Sequence, residues 1–481
     1  TATFNDADNV GGSGLEKSYY QVIDYNGTEW RGNYTHGFLS DNFDVAIHPE
    51  WTQKVGTWGI NNNALEQTDE VSTAAANTNI YAALTQTLSN RYLYNFKGKI
   101  EGTGTNRRAG LHFFADAPDS VNRGNSYFVW FRLDNQAVQL YKTSYSGGVN
   151  TFGAPTYTAA VNLVAGQWYD FKVIYDRITG KMDVYKDNSL IATWTDPSPL
   201  ASGTHVSFRS GNCKWSLDEI KIYRSRPTAS VSVSVGAGNA NDIRYQNPNP
   251  TTFAAKVKSI VNDVAGNLSS IDYHDLNIDW TNPSNVTTIN DGKTSDINVV
   301  VTSDSLSANW SSSNDPNSAI AEYWYSIGTS PGAVNTLTWT SNWADTAVTA
   351  KNLVLTTGTT YYFNVKSENG AGLYSNVIST NGQTVTIPTG VKELTESSLV
   401  NIYPNPFNNS FVVSLDLKNN SEINMTLIDA AGREIISYQS KESAGTYSKT
   451  IDANTLNLSN GMYWVKIRYN NQELCKKLVK Q

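Results

Sequence analysis

The run GQWYDFKVIYDRITGKMDVYKDNSLIATW, residues 166–194, decides the fold. In DFKVIYD, Phe171, Val173 and Tyr175 face one way while Lys172 and Ile174 face the other, the period-two alternation of a β-strand. KMDVYKDNSLIATW then reads as a hairpin. Similar runs recur on both sides: RAGLHFFAD (108–116), NSYFVWFRLD (125–134), AVQLYKTSY (137–145) and THVSFRS (204–210). Gly, Asn, Asp and Pro punctuate them, which is the pattern of a two-sheet sandwich.

Composition extends that reading to the whole chain. The 481 residues include 27 Tyr, 15 Phe and 13 Trp, and only 16% are charged. Aromatic and β-branched residues suit half-buried pleated surfaces, and Asn and Gly supply turns. The fold class is all-β, as tandem sandwiches, and the length predicts roughly three to four domains. A net charge of −7 argues against nucleic acid as a partner. No apolar run reaches the ~18 residues of a membrane helix, so no transmembrane segment is expected. The chain opens on TATFND, which reads as mid-strand, so a longer precursor with a signal peptide is expected. Cys213 and Cys475 fall in different domains, giving neither a disulfide framework nor a cysteine zinc site.

Residues 42–225 resemble the laminin-G and concanavalin-like jelly rolls, through the opening DNFD…W…GTWGINNNALEQ, GQWYDFKVIYD, the 181–194 hairpin and the closing LDEIKIY. Residues 1–41 (GGSGLEKSYYQVIDYNGTEW) and 226–281 (AAKVKSIVNDVAGNLSSIDYHDLNID) resemble the first and last strands of bacterial immunoglobulin-like domains. Each piece alone is too short to bury a core, so the jelly roll is expected to be inserted into a split immunoglobulin-like domain. Residues 283–386 resemble a fibronectin type III domain, with Pro283 opening it, Trp310 in its core and Leu355 and Tyr361 at the spacing of a tyrosine corner. Residues 387–396 read as a linker.

From 397 to 481 come seven short strand-like runs. Pro404, Asn405 and Pro406 force a turn after the first, because each proline fixes its own φ. NIYPNPF (401–407), DAAGREI (429–435), GMYWVKI (461–467) and CKKLVKQ (475–481) match in order the motifs of the type A sorting domain of the Bacteroidota type IX secretion system. The resemblance implies a cargo that crosses the periplasm and reaches the outer cell surface or the medium. It implies as partners the outer-membrane translocon, a shuttle barrel protein and a sortase-like peptidase. On the matching positions, the sorting signal is carried by Pro404, Asn405, Pro406, Asp429, Gly432, Gly461, Tyr463, Lys476, Lys477 and Lys480.

No catalytic pattern emerges. The paired carboxylates of jelly-roll glucanases, H-E-x-x-H, G-x-S-x-G and the P-loop are all missing, and the glycine-rich GTGTNRRAG (102–110) precedes a strand rather than a helix. The candidate chemistry is polysaccharide binding. By alternation His112 shares a side with Phe114, and Trp130 with Arg132, while Tyr141 joins from a neighbouring strand; core packing is the competing fate of these aromatics. The one cofactor candidate is a structural calcium at Asp41, Asp44 and Asp218, where first and last strands meet. Carboxylates in such turns also cap their own backbone. Two functions remain open: a non-enzymatic, surface-displayed binding region, or the accessory tail of a secreted hydrolase whose catalytic domain lies upstream of residue 1. A stalk before residue 397 is the structural alternative.

Overall fold

The computed structural model describes residues 1–71, 77–146, 149–387, 400–469 and 472–481. All but the first residue of the expected 387–396 linker lies outside them. The chain forms two compact units: Thr1–Asn298 with Ser305–Val354 and Thr360–Gln383, and Val299–Asp304 with Leu355–Thr359 and Thr384–Gln481. Both are built from strands, and the helical structure among the described residues is one 3-10 turn, Tyr34–His36.

In the first unit two large sheets face each other. One runs in the order Val149–Thr151, Ala137–Ser146, Ser126–Arg132, Arg108–Ala115, His205–Gly211, Asn79–Ala83, Trp51–Val55. The other runs Ser189–Thr195, Lys181–Lys186, Trp168–Asp176, Arg91–Glu101, Lys214–Ser225, Leu15–Tyr25, Ala255–Asp263, Asp272–Leu276. Phe171, Val173 and Tyr175 point into the space between the sheets, where Phe96, Phe131, Phe208 and Trp215 meet them. The Phe131 and Phe171 rings stack at 3.9 Å. Ile174, on the opposite face, is also buried, in a separate cluster with Tyr19, Leu93, Tyr185, Tyr223 and Ile260. Both faces of that strand are therefore covered, the outer one partly by residues from the flanks.

The strand Lys214–Ser225 connects the sandwich to those flanks. One edge pairs with Arg91–Glu101, with a register shift between Asp218 and Lys221. Its other edge serves three strands in turn: Ala64–Gln67 beside Trp215–Leu217, Leu39–Asp41 beside Ile220–Ile222, and Leu15–Tyr25 beside Arg224–Ser225. Where the last two diverge, the buried Gln21 amide donates to Leu39 O at 2.8 Å and Ile222 O at 3.2 Å. Leu15–Tyr25 then pairs antiparallel with Ala255–Asp263 from Leu15↔Asp263 to Asp24↔Ala255. The two flanking segments share a small core containing Tyr20, Val22, Phe38, Val231, Ile243, Val257 and Ile278. The same sheet thus carries strands of the sandwich and of both flanks.

The remainder of this unit holds the sheet Ile289–Asp291, Leu306–Trp310, Ala347–Ala350, and the antiparallel run Leu337–Ser341, Ile320–Gly328, Thr360–Asn369. Trp310 is buried against Tyr323, and Tyr361, Phe363 and Val365 are buried together by alternation.

The second unit contains the C-terminal module, two sheets ordered Val400–Tyr403, Ser410–Leu417, Gly445–Asp452 and Glu434–Glu442, Ser421–Asp429, Gly461–Tyr469, Gln472–Lys480. Alternate residues fill one core, among them Phe411, Val413, Met425, Val465, Ile467 and Leu478.

Gln21→Leu removes the donor that serves two buried carbonyls, so it is expected to lower stability by about 1–3 kcal/mol. Chemical denaturation measures the loss, and hydrogen exchange should accelerate first at Leu39–Asp41. Unchanged stability would mean that the fork is held by backbone pairing alone.

Candidate functional site

The sheet containing Arg108–Ala115 and Ser126–Arg132 sends alternate residues to its two faces. Leu111, Phe113, Val129, Phe131, Leu140 and Phe208 enter the core between the sheets. Their neighbours in sequence turn outward, and pairing aligns Gly110 with Trp130 and Arg209, and Arg108 with Arg132. There Phe128, Trp130 and Tyr141 form a separate aromatic cluster, joined by Phe152. Tyr141 stacks on Phe152 at 4.5 Å, and Phe128 meets Trp130 edge-on at 4.2 Å. A cavity of about 190 Å³ opens beside this cluster, lined by Trp130, Tyr141, Phe152, Arg108, Arg132 and Arg209 together with Asn77, Val121 and Asn122.

The polar groups are arranged with little slack. Gln139 Oε1 accepts both Arg132 Nη1 and the Tyr141 hydroxyl at 2.9 Å, holding the two in one orientation. Arg132 also reaches the Asn106 side chain, and Arg108 donates to Asn106 O at 2.8 Å. The Arg108 and Arg209 guanidiniums lie 5.3 and 5.1 Å from the Trp130 ring centre. Among the described residues, Trp130 Nε1 and Arg132 Nε are buried without a hydrogen-bond partner, and no Asp or Glu lines the cavity. Burial pushes the Arg209 guanidinium down to about 9, with the Arg108 charge adding to the effect. Burial and then the Arg132 charge likewise lower Arg108. The cavity is therefore cationic and rich in donors.

Of the four residues expected at a glycan site, the structure brings Trp130, Arg132 and Tyr141 together. His112 lies beneath them instead, with no exposed surface, its ring stacked 3.9 Å from Phe128 and Nδ1 3.1 Å from Ser126 Oγ. Phe114 leaves that face altogether. A register shift between His112 and Ala115, with φ of 55° at Phe114, turns its ring into the core against Tyr175. Arg108 and Arg209 were legible by alternation in RRAGLHF and HVSFRS but were not singled out. Phe152 had no signal, because it comes from outside the strands it covers.

The three acidic residues considered for calcium are partly committed elsewhere. Asp41 is buried, with Oδ2 accepting Arg31 Nη1 at 3.1 Å and Trp51 Nε1 at 2.8 Å, and Oδ1 accepting Phe43 N at 3.0 Å. Asp44 takes the Asn42 amide. Burial raises the Asp218 carboxyl, with the Glu219 and Asp44 charges adding. Among the described residues no three His, Cys, Asp or Glu side chains converge as a metal site.

In the C-terminal module the sorting-motif residues form two structural groups. Asn405 bridges to the last strand: its amide donates to Lys477 O at 2.8 Å and its Oδ1 accepts Val479 N at 2.9 Å. Pro404 and Pro406 flank it, and Phe407 N donates to Val479 O at 2.9 Å. Asp429 caps its own turn, accepting Ala431 N and Arg433 N at 2.9 Å, and Gly432 supplies the φ of 81° that the turn requires. Gly461 begins the strand carrying the buried Tyr463, whose hydroxyl donates to Ser459 O at 2.6 Å. Lys480 Nζ donates to Leu458 O at 2.6 Å, whereas the Lys477 side chain is exposed and Lys476 is half-buried.

Residues 401–481 match the family described as "Secretion system C-terminal sorting domain". The tail is thus similar to a secretion sorting domain, a likeness that supports export of the chain. No curated protein matches the chain. Among solved structures, the carbohydrate-binding module CBM66 from Bacillus subtilis is 15% identical, covering 36% of this chain and 93% of its own, with a TM-score of 0.29. A Bacillus subtilis protein with a galectin-like fold is 12% identical over 39% of this chain and 99% of its own, with a TM-score of 0.29. The carbohydrate recognition domain of Emp46p is 12% identical over 40% and 98%, with a TM-score of 0.31. Likenesses at these scores say nothing about a ligand here.

Burial pushes the His112 imidazole well below its ordinary value, with the Arg123 and Arg209 charges adding to the effect. The folded chain thus binds fewer protons at this site than the unfolded chain, so His112 costs stability as pH falls below about 6.5. Relative to His112→Phe, the wild type should lose up to about 1.4 kcal/mol per pH unit below that point. Denaturation midpoints at pH 7.5 and 5 measure this, and a pH-independent difference would contradict the neutral buried imidazole.

Proposed function

We propose that this chain is cargo of a type IX secretion system, displayed at the outer cell surface or released, and that its sandwich binds saccharide in the cavity beside Trp130. The match of residues 401–481 to a secretion sorting domain supports the export route. The translocon, its shuttle barrel and its sortase-like peptidase are then the partners of the C-terminal module. The observation that carries the binding half is the cavity itself. Aromatic rings and guanidiniums surround a space of about 190 Å³ beside the sheet. Alternation from a rigid sheet holds these groups, so little ordering accompanies binding. We read residues 42–225 as the binding domain, inserted between strands of the 1–41 and 226–281 flanks, with 283–386 as a fibronectin type III spacer.

Two experiments test the two halves. For export, the chain behind a signal peptide should leave a type IX-competent cell, and removal of residues 475–481 should trap it in the periplasm. Asn405→Ala should trap it too, since both hydrogen bonds to the last strand are lost. Lys476→Gln with Lys477→Gln leaves the strand paired and isolates the role of charge. Normal secretion of all three variants would overturn the address reading. For binding, affinity electrophoresis of the full chain through polysaccharide gels should show retardation that Tyr141→Ala abolishes, run at a temperature where its melting curve, lowered by the loss of a buried ring, still shows it folded. A panel of polysaccharides that retards neither protein would overturn the saccharide reading.

A further inference from the structure

We propose that the ligand of the cavity is an acidic saccharide, whose carboxylate or sulfate oxyanion is held by Arg108 and Arg132 while its ring lies against Trp130 and Tyr141. This rests on the saccharide reading above and narrows it to a substrate class. A neutral sugar offers hydroxyls that donate as well as accept, and its sites need acceptor side chains. Here the cavity carries three guanidiniums and, among the described residues, no carboxylate; its side-chain acceptors are the amides of Asn77 and Asn122, the latter already accepting Arg209 Nη1 at 3.2 Å. Among the described residues, Arg108 and Arg132 hydrogen-bond to neutral groups, the Asn106 carbonyl and the Asn106 and Gln139 side chains. Charges of one sign, partly removed from water and crowded together, oppose one another. Burial first and the neighbouring guanidinium second lower Arg108 and Arg209. An oxyanion relieves that opposition, and the planar fork of an arginine suits two parallel bonds to a carboxylate or sulfate.

Gln139 fixes the Arg132 fork from behind and ties it to the Tyr141 hydroxyl. Attraction to a polyanion cannot come from the chain as a whole, whose net charge is −7. Retention on an acidic polymer would therefore report a local basic patch, and its loss in Arg132→Gln would place that patch at this cavity.

The test is affinity electrophoresis of the full chain in matched gels: polygalacturonate against galactan, and dextran sulfate against dextran. We expect apparent affinity at least tenfold higher for the acidic member of one pair or both, and which pair responds distinguishes carboxylate from sulfate. Arg132→Gln should lose at least tenfold on that polymer, Arg132→Lys should keep part of it, and Arg108→Gln provides a second removal of charge. Melting curves identify any variant that misfolds. Independently of variants, free galacturonate should displace the wild type from polygalacturonate where galactose does not, or free sulfated glucose from dextran sulfate where glucose does not. Equal retention by acidic and neutral polymers overturns the proposal, as does undiminished retention in folded Arg132→Gln and Arg108→Gln. If neutral gels alone retard the chain and Tyr141→Ala abolishes it, the acidic assignment fails and the saccharide reading stands. If no gel retards it, both fail.

Discussion

A β-strand has two hydrogen-bonding edges, and both edges of Lys214–Ser225 must be filled. One long partner, Arg91–Glu101, takes the first edge, while three short strands from distant parts of the chain share the second. Each junction between those short strands leaves carbonyls to satisfy, and buried backbone groups seldom go unpaired. Gln21 meets this need at one junction with a side-chain amide. The arrangement explains why the flanks sit in the same sheet as the sandwich. Leu15–Tyr25 reaches this edge only at Tyr19 and Tyr20, then carries the sheet onward to Ala255–Asp263.

The opposing sheet has the complementary property. Its inner face is locked into the aromatic core, so the backbone that carries Arg108, Trp130, Arg132 and Arg209 has little freedom to move. Rigidity lets the outer face hold arginines close together despite the cost. A loop would relax and let the like charges separate, whereas strands paired residue by residue cannot.

How far this was legible depends on which physical rule acts at each position. Alternation placed Phe171, Val173 and Tyr175 in the core and put Trp130, Arg132 and Tyr141 on one face, because regular pairing preserves the period. The period fails at Phe114, where an irregularity in pairing with His205–Gly211 turns the ring inward; a bulge leaves no clear mark in one sequence. Alternation also assigns a face without assigning depth. His112 lies on the expected side yet is sealed under Phe128. Asp41, at the end of a strand, shows the converse limit: its partners Arg31 and Trp51 are 10 residues away in opposite directions, and no local pattern marks them.

In the C-terminal module the first sequence motif closes the fold on its last strand. Asn405 and Phe407 hold the backbone of Lys477 and Val479, so the turn near the start of the module closes on the strand that ends it. A module of this size has a small core, and an unpaired terminal strand would fray. The bridge from Asn405 suppresses that fraying without covering the Lys477 side chain, which points to solvent. Lys480 is used differently, its ammonium spent on Leu458 O within the fold. The terminal lysines are thus unequal: one anchors the strand, while another is presented on it. On the export reading proposed above, a recognition element built on this folded edge would exist only once the module has folded, which would tie departure to completion of the C-terminus.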